Sequence, residues 1–230
     1  MISIRRSDER GQADHGWLQS HHTFSFANYY DPEHMGVSSL RVINDDVVAP
    51  GRGFGTHSHQ DMEIISYVKK GKIQHKDSEG NMRVLPAGEF QLMSAGSGIT
   101  HSEYNPSLEE TLEFLQIWIM PDQYGIEPGY QQKQFGTEPG LNLIASPDAR
   151  EQSLKIQQDA CLYHLILAEQ QTQEITLSAG RVVYLHLISG VLQLDDETLH
   201  PGDGVTINAV DSVSFQAAGE KVEALVFDLP

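Results

Sequence analysis

The chain has 230 residues and a mass of 25.6 kDa, with 15 Lys and Arg against 32 Asp and Glu, a formal net charge of −17. Hydrophobic residues at 39% and charged residues at 20% are enough to bury a core and exclude a disordered chain. The acidic balance argues against direct nucleic-acid binding, which draws its affinity from clustered Lys and Arg. The one basic cluster, Lys69-Lys70-Gly71-Lys72, reads as a solvated turn. No apolar run approaches the ~18–20 residues that span a bilayer. Met1 to Glu9 has no apolar stretch behind its positive charges, so neither a membrane span nor a secretory signal is expected. The single cysteine, in the apolar context Ala160-Cys161-Leu162, suits a reducing, cytoplasmic interior.

In chain order the apolar segments are short, rich in Val, Ile and Leu, and punctuated by turn residues. Leu40 to Ile43 runs into Asn44-Asp45-Asp46, and Ile64 to Val68 into the Lys-Gly turn. Leu115 to Ile119 alternates until Pro121, and Arg181 to Ser189 runs until Gly190. Strands of this length and spacing predict an all-β sandwich or barrel protein. Residues 106–113 and 147–153 are expected as short helices.

The pattern also repeats. Ile64 to Gly71, a polar hairpin and Leu85-Pro86-Ala87-Gly88 return as Val183 to Gly190, a shorter hairpin and Leu199-His200-Pro201-Gly202. The length difference falls in the hairpin, where changes are best tolerated. The stretch between the copies is rich in Pro and Gly and reads as irregular. The expectation is two tandem barrels: 1–125, a linker at 126–145, and 146–230.

Two pairs carry metal chemistry, His57-Ser58-His59 and His101-Ser102-Glu103. Residues two apart on a strand share a face, so each pair aims two donors into one interior. Three neutral imidazoles and a carboxylate suit a first-row transition metal, not the all-oxygen sites of Ca²⁺ or Mg²⁺. Around them, Gly51, His57, His59, Glu63 and Gly71, followed by Gly80, Pro86 and Gly88, keep the order of the two cupin motifs. The resemblance implies double-stranded β-helix barrels. Two positions depart from it: Glu63 to Gly71 is one residue longer than usual, and Gln91 stands where the second motif places a histidine.

A narrower resemblance resolves these departures. Asp14-His15-Gly16-Trp17-Leu18, His22-Thr23-Phe24-Ser25-Phe26-Ala27-Asn28-Tyr29-Tyr30-Asp31-Pro32, and above all Ser94-Ala95-Gly96-Ser97-Gly98-Ile99-Thr100-His101-Ser102-Glu103 resemble the pirin family. The likeness is dense over 10–130. It implies one metal in the N-terminal barrel, held by His57, His59, His101 and Glu103, with Glu63 in a supporting role and Gln91 an ordinary strand residue. The cofactor implied is one divalent transition metal, iron first, with Mn, Co, Ni, Cu and Zn as alternatives.

Bacterial pirins are associated with quercetin 2,3-dioxygenase activity, which implies a flavonol and O₂ as partners. The central ring then opens with loss of carbon monoxide. Glu103 is the expected catalytic group, accepting the 3-hydroxyl proton. Phe24, Phe26 and Phe54 are the candidate walls of the substrate pocket. The alternative reading is a metal-binding sensor that regulates through a protein partner without turnover, as the nuclear animal member does. Counting from the matched glycines, Thr176, Ser178, Phe215 and Ala217 fall at the four ligand positions of the second barrel, which therefore reads as metal-free. The fused barrels are expected as a monomer. The other histidines (15, 21, 34, 75, 164, 186, 200) are expected to be exposed or bonded locally.

Overall fold

The computed structural model describes residues 1–230. Strands dominate, and the only helical turns are 3-10 turns at Ser7–Glu9 and Arg150–Gln152. Of the two expected helices, 147–153 keeps just that second turn, and 106–113 has none. At the latter, Asn105 Oδ1 accepts from the Ser107 backbone N–H, and Ser107 Oγ accepts from Glu110 N at 2.9 Å. These side-chain bonds hold a loop in place of a helical ladder. No helix is long and apolar enough to cross a membrane.

The chain forms two compact units, one of Gly11–Phe135 with Ile156–Gln158, the other of Met1–Arg10, Gly136–Lys155 and Asp159–Pro230. Each contains a seven-stranded and a four-stranded sheet. In the first, the long sheet runs Gly129–Gln134, Glu89–Ser94, Glu63–Lys70, Leu112–Ile119, Leu40–Val48, Leu18–His22, Gly11–Asp14. Its short sheet runs Gly53–His59, Ile99–Tyr104, Lys72–Asp77, Met82–Pro86. The second unit repeats this plan, with Val182–Ser189 standing for Glu63–Lys70 and Val222–Leu229 for Leu112–Ile119.

The paired glycines show why the repeat survives. Gly71 and Gly190 both have φ of +81°, and a Cβ would meet Thr111 O at 2.9 Å in one and Lys221 O at 2.4 Å in the other. Only glycine takes this turn without strain.

The unit boundaries differ from those expected. The stretch 126–145 is not an irregular linker. Gly129–Gln134 pairs with Glu89–Ser94, and Gly140–Ser146 pairs with Cys161–Leu167. Pro128 and Pro139 stand just before these strands, where a missing N–H costs no ladder bond. The first residues also change sides: Ile2–Arg5 pairs with Gly204–Asn208, the place that Gly129–Gln134 takes in the other unit.

The interiors diverge. The C-terminal unit buries one apolar cluster that includes Leu177, Leu185, Leu194, Val213 and Phe215. The N-terminal unit buries apolar clusters around Ile73 and Phe114 and around Ile64 and Met93. It also buries Asp46, Ser66, His75, Gln91, His101 and Glu103.

Candidate metal centre

Gly53–His59 is the edge of the short sheet and pairs with Ile99–Tyr104, placing His57 opposite His101. On the far side of Ile99–Tyr104 lies Lys72–Asp77, with Asp77 opposite His101 and His75 opposite Glu103. The register slips between His101 and Glu103, where Glu103 faces Phe54, so the edge strand carries an extra residue there. Such a bulge re-aims the side chains beside it. Here His57 turns so that its Nδ1 donates to Gly55 O at 2.8 Å.

The ligand atoms of His57, His59 and His101 all lie within 4.8 Å of one another. His57 Nε2 and His101 Nε2 face each other at 3.0 Å. His59 stands with its ring centroid 4.8 Å from both of theirs, and its buried Nε2 has no hydrogen-bond partner. Trp118 closes against it edge-on, 5.1 Å between centroids. Glu103 forms a second group with His101 and His75, sharing only His101 with the first. Its Oε2 accepts from Gln116 Nε2 at 3.2 Å, and Gln116 Oε1 accepts from Trp118 Nε1 at 3.2 Å. Glu103 Oε1 is buried without a partner.

Burial, with the neighbouring His57, lowers the pKa of His59 to about 4. Burial and the other imidazoles lower that of His101 to about 2. Both rings are therefore neutral at physiological pH, the state in which imidazole offers a lone pair to a metal. Burial and the charge of Asp46 raise Glu103 to about 7, and burial raises Asp46 to about 7 against the bond from Ser20 Oγ. A third carboxyl, Glu63, is also buried and raised to about 7. Its Oε2 accepts from Ser94 Oγ at 3.0 Å and Gln157 N at 3.2 Å, well apart from the imidazoles in its bonding. Gln91 lies buried on its strand and accepts from the Tyr130 hydroxyl at 3.2 Å.

A cavity of about 610 Å³ opens beside the imidazoles, lined by His57, His59, Trp118, Phe54, Phe26 and Asp46 among others. It has the size and mixed lining of a small-molecule site. Phe26 packs edge-on against Trp118, centroids 5.4 Å apart, and Phe54 against Trp17 at 5.3 Å. Phe24 does not reach it. The strand ends at His22, two residues before Phe24, and Phe24 turns into the core. Glu103 is absent from the cavity wall; Gln116, which donates to it, is present.

His75, which the sequence reads as exposed or bonded locally, is bonded locally to Asp77 Oδ2 at 3.0 Å, but it is also wholly buried and touches the site, with Nδ1 3.5 Å from His101 Nδ1. The signal was present as His75-Lys76-Asp77, a strand pair with the same two-residue spacing as the two pairs singled out. His164 and His186 are buried as well, in the C-terminal unit.

Strand register corrects the comparison with the second unit. Ile175 pairs with Val213 as His57 pairs with His101, and Phe215 pairs with Leu194 as Glu103 pairs with His75. Leu177 N donates to Asp211 O where His59 faces Ile99. The ligand positions are thus matched by Ile175, Leu177, Val213 and Phe215, not by Thr176, Ser178, Phe215 and Ala217. The loop before Val182 is one residue longer than its counterpart, and the loop before Ser212 is two residues shorter. The glycine landmarks do not register either change.

Two β-barrels of one plan in tandem, one enclosing a histidine and carboxylate cluster, define a two-domain cupin protein. The description "Pirin" matches residues 3–119, and "Quercetinase C-terminal cupin domain" matches 143–229. The chain is 50% identical to a quercetin 2,3-dioxygenase of Escherichia coli strain K12, covering 100% of this chain and 99% of that protein. A pirin-like protein of Caulobacter vibrioides is 41% identical, with 99% of each chain covered. The crystal structure of the bacterial pirin YhhW from E. coli in complex with nickel(II) has a TM-score of 0.97 at 50% identity, covering 100% of this chain and 99% of that one. The chain belongs to the pirin family.

Proposed function

We propose that the protein is a metal-dependent dioxygenase that opens the central ring of quercetin-like flavonols. The observation that carries this reading is the pair of facing nitrogens beside an aromatic cavity. His57 donates from Nδ1 to Gly55 O, so its Nε2 holds a lone pair, and that lone pair points at His101 Nε2 3.0 Å away. A cation close to both nitrogens would take a lone pair from each. The unpartnered His59 Nε2 and Glu103 Oε1 supply further donors. His57, His59, His101 and Glu103 would hold one divalent transition metal. Such a metal, when redox-active, couples an electron-rich substrate to O₂; Zn²⁺ would bind without offering redox chemistry.

The chain's own residues prepare the substrate. Phe26, Phe54 and Trp118 accept a planar ring system and exclude water from it. Glu103 accepts the flavonol 3-hydroxyl proton at Oε2, the oxygen left once Oε1 faces the metal, where Gln116 Nε2 also donates at 3.2 Å. The names of the relatives and the nickel complex support this reading.

The test is reconstitution with Fe, Mn, Co, Ni, Cu and Zn separately, followed by aerobic incubation with quercetin. Loss of flavonol absorbance with matching O₂ uptake and carbon monoxide release is expected for at least one redox-active metal. Metal-loaded protein that leaves quercetin intact would instead be the metal-sensing regulator.

A further inference from the structure

His75 is buried at the back of the site, on the side of His101 away from His57. Its Nε2 lies 3.0 Å from Asp77 Oδ2. Asp77 cannot reorient, because its carboxylate also accepts from Glu79 N at 3.0 Å, Asn81 N at 2.9 Å and Asn81 Nδ2 at 2.9 Å. Tyr130 packs over the His75 ring, centroids 4.8 Å apart, and its hydroxyl is held by Gln132 Oε1 at 2.8 Å.

These contacts fix where protons sit. A carboxylate only accepts, so His75 carries its proton on Nε2 and leaves a lone pair on Nδ1. That lone pair faces His101 Nδ1 at 3.5 Å. A proton on His101 Nδ1 completes this contact and leaves Nε2 free and turned toward His57 Nε2. Gly55 O does the same for His57 in a single step. In the C-terminal unit, where Val213 stands in place of His101, the position of His75 is Leu194.

We propose that Asp77 and His75 are positioning residues: a carboxylate–imidazole relay that sets the His101 tautomer so that Nε2 is the ligating atom. The proposal rests on reading the imidazole cluster as a metal site. Groups behind a ligand that fix its tautomer and orientation change metal affinity by roughly 10–100-fold when removed.

The experiment uses the full chain with ¹⁵N-labelled imidazoles, metal-free and well above the ordinary histidine pKa. Long-range ¹H–¹⁵N correlation should show His101 protonated at Nδ1 and His75 at Nε2. In His75→Leu that preference should vanish, and zinc and nickel, measured by competition with a chelator, should bind 10–100-fold more weakly. His75→Gln, whose amide oxygen can accept from His101 Nδ1, should restore most of the affinity. Asp77→Asn should move the His75 proton to Nδ1.

A wild-type His101 protonated at Nε2 overturns the proposal, as does undiminished affinity in a folded His75→Leu. Coordination by His75 itself in the zinc-loaded spectrum also overturns it. Should His75→Leu fail to fold, the wild-type spectrum and His75→Gln decide. If the wild type binds no metal, the metal reading fails, while the metal-free spectrum still answers the tautomer question.

Discussion

The two barrels share strand order, hairpin glycines and the closing pairing of their long sheets, yet one holds a polar cluster where the other holds apolar side chains. His57, His59, His101, Glu103 and His75 in the first become Ile175, Leu177, Val213, Phe215 and Leu194 in the second. Glu63 becomes Val182, each opening its strand eight residues before the turn glycine. The same backbone therefore tolerates either content. What the apolar set gains is burial, about 25 cal/mol per Å². What the polar set keeps is a group of buried donors and acceptors left partly unpaired, a cost natural proteins bear where a ligand or reaction repays it.

The comparison breaks most sharply at the imidazoles. His101→Ala or Glu103→Gln should lower quercetin turnover by ~10³-fold or more, read as O₂ uptake by metal-loaded protein. Asp46→Asn should lower it far less. If Asp46→Asn proves the more damaging, the carboxyl in the cavity wall is the proton acceptor.

The matching position in the C-terminal unit should respond in stability instead. Phe215 is fully buried, so Phe215→Ala should cost about 3–5 kcal/mol in denaturant unfolding. Phe215→Glu should cost more, because the new carboxyl finds none of the partners that Glu103 has.

Glu63 gives a pH signature that Val182 cannot. Burial raises its pKa from 4.5 to about 7. The folded state then holds a proton that the unfolded chain releases, so this stabilising contribution is complete below pH 4.5 and is lost as pH rises through about 7. The loss amounts to about 3 kcal/mol at most. Glu63→Gln should flatten the dependence between these limits in thermal melts across pH. A slope that persists unchanged would assign it elsewhere, with Asp46 the next candidate.

The smallest effect is expected in the cavity wall. Phe54→Ala should raise the KM for quercetin by about five- to tenfold while leaving kcat within a factor of a few. An unchanged KM would move substrate binding away from this face of the cavity.

How much of this could be read beforehand follows from the range of each signal. Strand-scale patterns were legible: the glycine–hairpin–glycine repeat gave the two barrels, and two-residue spacing put His57 with His59 and His101 with Glu103. His75 obeyed the same spacing but lay 26 residues from its partner, paired with an aspartate that reads as a turn residue. The cavity was less legible still. It is assembled from Gln12, Phe26, Asp46, Phe54 and Trp118, residues on several strands and loops with no common spacing. Loop lengths hid the register of the second barrel: a one-residue change there leaves every strand pattern intact while moving each side chain to the other face, and a two-residue change shifts each by one position along the same face.

The pairing of Ile2–Arg5 with Gly204–Asn208 bears on the order in which the molecule can be made. Met1 and Asn208, bonded through the terminal amine, are 207 residues apart. As the chain leaves the ribosome, residues 11–135 hold nearly everything the first barrel needs. The strand Ile2–Arg5 has no partner until residues 204–208 have emerged. A strand made before the first barrel thus finds its place only after that barrel is complete. Pairing across so long a loop is intrinsically slow, and until it forms, Gly204–Asn208 presents a bare sheet edge to neighbouring chains.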